Sequence, residues 1–128
     1  MVISEKRFEV MVKQFLRKKG CWVLKTWSNG VQRDGVPDLL VCCNGYFLGV
    51  ELKAQHGTPS ELQKWNIDEI RKAAGIGIIL YPDHFEAFKT LVELLLKGGY
   101  YAAFKGQYKD FKRKEYHGKD SVTEESDF

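Results

Sequence analysis

The chain has 128 residues, 44% of them hydrophobic, and carries 20 lysines and arginines against 17 aspartates and glutamates, for a formal net charge of +3. That length suits one compact core with small appendages and excludes two ordinary domains. The mild positive balance permits a phosphate-backbone partner without requiring one, because a charge of this size also serves solubility. Cys21, Cys42 and Cys43 form neither a CxxC pair nor a disulfide framework, so buried reduced thiols are expected. No apolar run approaches membrane-spanning length, and the charged start MVISEKRFEV does not resemble a signal peptide. An intracellular protein with no membrane partner is the expectation.

Apolar residues at Phe8, Met11, Val12, Phe15 and Leu16 recur at intervals of three and four, predicting an amphipathic helix from about Glu5 to Lys19 with Ser4 as N-cap and Gly20 as stop. CWVLKTW reads as a short strand, and SNGVQRDG as a polar loop. Two further apolar runs are joined by Asn44-Gly45, the strongest short-range hairpin signal, because a type I′ turn needs positive φ at both central residues. A two-residue turn there pairs Cys43 with Tyr46 and sets Asp38 opposite Glu51. HGTPSELQKWNIDEIRKAAG predicts a second helix with Thr58 as N-cap, Pro59 at the first helical position, Glu61 closing a capping box and Gly75 as stop. Its inward stripe is Ile67, Ile70 and Ala74, and counting back places Gln63 inward too. IGIILYP reads as a strand of a sheet interior. A third helix starts at Asp83 or His84, with Phe85, Phe88, Leu91, Val92, Leu95 and Leu96 as its stripe and Gly98-Gly99 as its end. The order of elements predicts an α/β fold: a mixed sheet with flanking helices. Residues 1–104 form the domain, and 105–128 a basic and then acidic tail, disordered in its last ten or so residues.

The predicted hairpin carries an electrostatic oddity. Directly opposed residues have Cβ atoms about 4.5–5.5 Å apart, so Asp38 and Glu51 should repel unless a cation lies between them. Lys53 emerges from the same face, two residues beyond Glu51. Two carboxylates across a strand pair suit Mg²⁺ or Mn²⁺ completed by waters and phosphate oxygens, and such an ion activates water and stabilises charge on a scissile phosphate. Lys53 would orient or deprotonate that water, or set its charge beside the transition state. A wet sheet face with a weak diagonal salt bridge fits the same residues about equally well. Pro37 shifts the balance toward a built site, since it fixes φ and removes an N–H just before Asp38. Glu5 and Glu9 share a face of the first helix, where acids near an N-terminus are favoured in any case.

GVPDLL, GYFLGVELKAQHGTPSELQKWN and EKRFEVMVKQFLRKKGCWVLKTW together resemble the virus-type replication-repair nuclease (VRR-NUC) domain, a branch of the PD-(D/E)XK phosphodiesterase superfamily akin to Holliday-junction resolvases. The resemblance spans roughly residues 5–82. It implies a restriction-endonuclease-like α/β fold and a divalent-metal-dependent DNA endonuclease, resolvase-like in acting on branched DNA, with no organic cofactor. By motif, Pro37-Asp38 resembles the PD dipeptide and Glu51-Leu52-Lys53 the ExK. The resemblance therefore implies that Asp38 and Glu51 hold the metal and Lys53 serves the attacking water. Gln63 matches the family's helix glutamine that closes the active site by hydrogen bonding. Glu9 matches the first-helix acid of the resolvase relatives, with Glu5 as the alternative.

For substrate, Lys25, Ser28, Asn29, Gly30, Gln32 and Arg33 are expected to occupy a loop bordering the metal and to contact phosphates, with His56 in a similar role; a solvated turn explains them as well. Tyr108, Phe111 and Tyr116 alternate with Lys109, Lys112, Arg113 and Lys114, a pattern compatible with strand stacking or with covering a core or partner. A homodimer is expected from the resolvase resemblance and the aromatics Tyr100, Tyr101 and Phe104, since symmetry would supply two sites for paired cuts. The competing class is a non-catalytic DNA-binding or assembly module of the same fold; a third reading directs the nuclease at RNA.

Overall fold

The computed structural model describes residues 2–27 and 34–98. The loop residues Ser28, Asn29, Gly30, Gln32 and Arg33, the aromatics from Tyr100 onward and the charged tail all lie outside the described residues.

Helix α1 (Glu5–Lys18) forms as its periodicity requires, with Phe8, Val12 and Leu16 buried. Ser4 caps it by accepting the Arg7 N–H at 3.1 Å. Gly20, at φ 85°, lets the chain turn back so that the N–H of Cys21 reaches the Leu16 carbonyl and that of Gly20 reaches Arg17. Buried Cys21 then packs in the same core as Leu16, which completes a Schellman stop.

Strands β1 (Trp22–Lys25), β2 (Leu39–Cys43), β3 (Tyr46–Leu52) and β4 (Ile76–Leu80) form one sheet in that order. β1–β2 and β2–β3 are antiparallel, and β4 runs parallel to β3. Asn44 and Gly45 have φ of 51° and 89°, both positive as a type I′ turn demands. The pairing of Cys43 with Tyr46 and Leu39 with Val50 is the expected register, and it sets Asp38 against Glu51. The Asn44 side chain also donates to the carbonyl of Leu95 at 2.9 Å, tying the turn to α3 (Phe85–Gly98).

Alternation along β3 sorts the two faces. Leu48, Val50 and Leu52 join Leu39, Val41, Cys43 and Leu80 in a core closed by Phe8, Val12 and Leu16 of α1 and by Phe85, Phe88 and Val92 of α3. Phe8 and Phe15 meet Phe85 edge-on, with centroids 5.7 and 6.0 Å apart. On the opposite face sits α2 (Glu61–Lys72), brought close by a cross-strand glycine pair, Gly49 and Gly77. A Cβ on Gly77 would meet the Ile67 carbonyl oxygen at 2.6 Å, and one on Gly49 the Ile70 Cδ1 at 2.5 Å.

Four local expectations change. The second helix is capped by Ser60, not Thr58, with Gln63 rather than Glu61 closing the capping box; the run TPSELQ contains both frames, and the later one seats Ile67 over the sheet. Ala74 does not join the inward stripe but adopts φ 71° just past the helix. Gly75 is required for space, since a Cβ there would lie 2.8 Å from Ile70 Cγ2. β4 is an edge of the described sheet, apolar because helices cover both its faces. A short 3₁₀ turn (Pro82–His84) precedes α3, which starts at Phe85.

The two glycines predict unequal losses. Gly77→Ala forces methyl against backbone and should destabilise by about 1–3 kcal/mol, whereas Gly49→Ala meets only side chains, the tip of Ile70 and then the Pro37 ring at 3.2 Å, and should lose less. Urea midpoints of the two variants measure the difference.

Candidate active site

Asp38 stands one residue before β2, and three elements fix it there. The Thr26 N–H donates to the Asp38 carbonyl at 2.9 Å, and its hydroxyl donates to the carbonyl of Pro37 at 2.7 Å. Thus Thr26 secures the backbone where proline has removed a donor. Upstream, Gly35 (φ 77°) passes so close under α2 that a Cβ would strike Leu62 Cγ at 2.6 Å. The buried Asn66 amide donates to the Leu62 carbonyl at 3.1 Å and to the Asp34 carbonyl at 3.4 Å. Counting back from Ile67 placed the inward amide at Gln63, which is half-buried; Asn66 is the buried one, held by a contact with Asp34 that helical spacing does not reveal. At the other end of the residue, Asp38 Oδ2 accepts the Leu52 N–H at 2.8 Å, which holds the carboxylate across the mouth of the hairpin.

Glu51 is only 2% exposed, and its Oε1 is buried with no hydrogen-bond donor among the described residues, the Asp38 carboxyl beside Glu51 being able to pair with it only when a proton is shared. Lys53 Nζ lies 3.4 Å from the other oxygen. Burial, and then the nearby Asp38 charge, push the Glu51 carboxyl up from 4.5 to about 7, against the pull of Lys53. Lys53 itself lies just past β3, its backbone N–H on the Leu80 carbonyl and its side chain 14% exposed. A Cβ on Gly57 would come 3.4 Å from Lys53 Cδ, and Tyr81 donates its hydroxyl to the Gly57 carbonyl at 2.9 Å. Tyr81, which the sequence did not flag, thereby braces the loop against the lysine stem.

Lys25 ends strand β1, within the run CWVLKTW read as a strand, and not in the loop with which its phosphate contact is grouped; its backbone pairs with Leu39. Its Nζ lies 2.8 Å from Glu9 Oε1 and 3.9 Å from Asp38 Oδ1. Glu9 Oε2 meets Lys13 at 3.1 Å. Burial raises the Glu9 pKa, but the hydrogen bonds and charges of Lys25 and Lys13 outweigh it and hold the carboxyl below its usual range. Glu5, by contrast, is exposed in the first turn of α1. Gln63 is half-buried, and its Oε1 accepts the Ser60 N–H at 2.8 Å, so that oxygen is committed to its own helix. His56 sits exposed in the turn after Lys53.

Two hard oxygen donors facing one another, one of them buried and unsatisfied, fit a divalent cation better than they fit solvent or a salt bridge. Among the described residues no three His, Cys, Asp or Glu side chains gather into a ligand set. An ion would therefore rest on Asp38 and Glu51 and complete its shell with water and substrate oxygens.

A mixed sheet that presents PD and ExK side by side at the open end of one hairpin, with helices on both faces, defines a restriction-endonuclease-like nuclease fold of the PD-(D/E)XK type. A solved structure described as a VRR_NUC domain shares it, with a TM-score of 0.55 and 25% identity over 76% of this chain and 98% of that one. The chain belongs to the archaeal Holliday junction resolvase (Hjc) family, whose model matches residues 4–76, from the cap of α1 to the first residue of β4. No curated protein matches. Among the described residues no helix is long and apolar enough to cross a membrane.

The raised Glu51 pKa has a signed consequence. Between 4.5 and about 7 the folded chain binds a proton that the unfolded chain releases, so stability falls as pH rises through that window. Metal-free protein should lose up to about 3 kcal/mol on going from pH 4.5 to 8, and Glu51→Gln should flatten that slope. Urea denaturation at a series of pH values, in chelator, reads both.

Proposed function

We propose that this protein is a divalent-metal-dependent DNA endonuclease that hydrolyses phosphodiester bonds, with branched DNA as substrate and a homodimer as the active form. The observation that carries the reading is the buried, unpartnered Oε1 of Glu51 opposite Asp38: a module that only bound DNA would be more stable without it. Membership of a resolvase family and the likeness to a VRR_NUC domain support the same reading.

Asp38 and Glu51 hold the ion, Mg²⁺ or Mn²⁺. When bound, it lowers the pKa of a water and stabilises charge developing on the scissile phosphate. The Leu52 N–H keeps Asp38 turned across the hairpin mouth, so its carboxylate needs no rearrangement to act. Lys53, screened from solvent and held beside Glu51, aims a fixed positive charge and N–H donors at the attacking water and the phosphate oxygens. In this reading Ser28, Asn29, Gly30, Gln32 and Arg33 contact the DNA backbone.

The test is cleavage of linear, nicked, flapped, splayed and four-way DNA with Mg²⁺ or Mn²⁺. Metal-dependent product, greatest on branched DNA, is expected; no product from any substrate would leave the non-catalytic module as the better description. Lys53→Ala should lower single-turnover cleavage by about 10²–10³-fold while DNA binding in the presence of metal holds within roughly threefold. Asp38→Ala should remove both metal binding and cleavage. Saturating Mn²⁺ should raise the melting temperature of wild type at pH 8, as expected for a ligand bound only by the folded state, and leave Asp38→Ala unmoved.

A further inference from the structure

We infer that Lys25 is a resident cation of the site: its ammonium takes the place of a second divalent ion between Glu9 and Asp38, so each chain binds one ion and Glu9 acts by positioning Lys25 rather than as a ligand. This rests on the metal-dependent reading above and adds the count and the assignment of roles.

Three carboxylates approach the hairpin mouth, but they stand in different states. Glu9 has an ammonium on each oxygen, Lys25 at 2.8 Å and Lys13 at 3.1 Å. Asp38 has Lys25 at 3.9 Å from Oδ1 and the Leu52 N–H on Oδ2. Glu51 has Lys53 at 3.4 Å from Oε2, and of the three it alone keeps a buried oxygen, Oε1, with no partner among the described residues. Each side of the mouth thus holds an ammonium, Lys25 between Glu9 and Asp38 and Lys53 beside Glu51, but both Glu9 oxygens are taken and the oxygen left open to an added ion is on Glu51.

Lys25 is fixed where it stands. It ends a strand whose backbone is paired to Leu39, its side chain is about four-fifths buried at 20% exposed, and its Nζ sits 5.4 Å from the Trp27 ring centroid. An ammonium so held keeps a metal ion out, because like charges a few ångströms apart repel strongly in a partly buried site. Two-ion sites place their metals about 3.5–4 Å apart to serve the attacking and leaving oxygens together. A lysine can steady negative charge as the second ion would, but it carries no exchangeable water and makes no nucleophile. One hydrolytic water per chain follows.

The test counts Mn²⁺ on the full-length chain by calorimetry and by electron paramagnetic resonance of free ion. Wild type should bind one ion per chain, a result that needs no variant. Lys25→Met should bind that ion about three- to tenfold more tightly, since a repelling charge is gone, and should gain a second, weaker ion. Adding Glu9→Gln to Lys25→Met should return the count to one, and Lys25→Arg should behave as wild type. A lysine that merely stabilised the fold would, when removed, weaken ion binding instead. If Lys25→Met does not fold by circular dichroism, Lys25→Gln replaces it. Two ions on wild type, or no gain in either folded variant, would overturn the inference and leave the metal-dependent reading standing. No ion on wild type, with Asp38→Ala indistinguishable from it, would overturn both.

Discussion

Glu51 keeps a carboxylate inside the sheet with one oxygen that meets no donor among the described residues, and the surrounding structure can be understood as the set of constraints that hold this unfavourable group in place. Desolvation of an anion is costly unless the charge is neutralised or paired, so a chain under no other requirement would replace it. Instead, the type I′ turn fixes the register that brings Asp38 opposite, where it makes the environment still less hospitable to a second negative charge. The penalty is tolerable because the core on the other sheet face is apolar and continuous, from Phe8 through Val50 to Val92. Stability made there is spent at the hairpin mouth.

The same division explains why rigid elements rather than loops carry the charged groups. Glu51 belongs to a strand paired on both sides, and Lys25 ends a strand. Asp38 and Lys53 each stand one residue outside a strand; Asp38 is held by Thr26 from one side and by Leu52 from the other, and Lys53 by its backbone N–H on the Leu80 carbonyl. Side chains fixed this way lose little further freedom when a substrate arrives, which is what preorganisation requires. Helix α2 contributes at a distance: by sitting close over Gly49 and Gly77, it brings Leu62 and Asn66 down onto the segment that leads into Asp38.

Much of this was legible in the sequence where a residue type has one dominant use. Asn44-Gly45 has little else to do than turn a hairpin, and counting outward from it gave the opposition of Asp38 and Glu51. Ser4 and Gly20 bounded α1 for similarly narrow reasons. Legibility failed where two readings satisfied the same local rule. Thr58 and Ser60 each begin a capping-box pattern, and only the packing of Ile67 against the sheet chooses between them. A pattern of apolar spacing cannot distinguish Gln63 from Asn66 as the buried amide, because the distinction is made by Asp34 from across the fold. Lys25 was grouped with the loop donors because it precedes the PD motif; its ion pairs with Glu9 and Asp38 join residues far apart in the chain, and local pattern is blind to those. Ala74 in a left-handed conformation could not be foreseen from composition, which favours glycine there.

Strand β2 also places two cysteines of opposite temperament side by side. Cys42 faces outward and is exposed, while Cys43 turns inward beside Cys21. Burial, then the neighbouring Cys43, pushes the Cys21 thiol up to about 12, and burial raises Cys43 likewise. Only the thiolate attacks an alkylating reagent, so the two inner sulfurs are silent until α1 and the sheet part. A chain alkylated first at Cys42 therefore carries a spectator mark on its surface and two sentinels in its core. The rate at which the sentinels are modified reports how often the molecule opens, residue by residue, with no probe having been added to it.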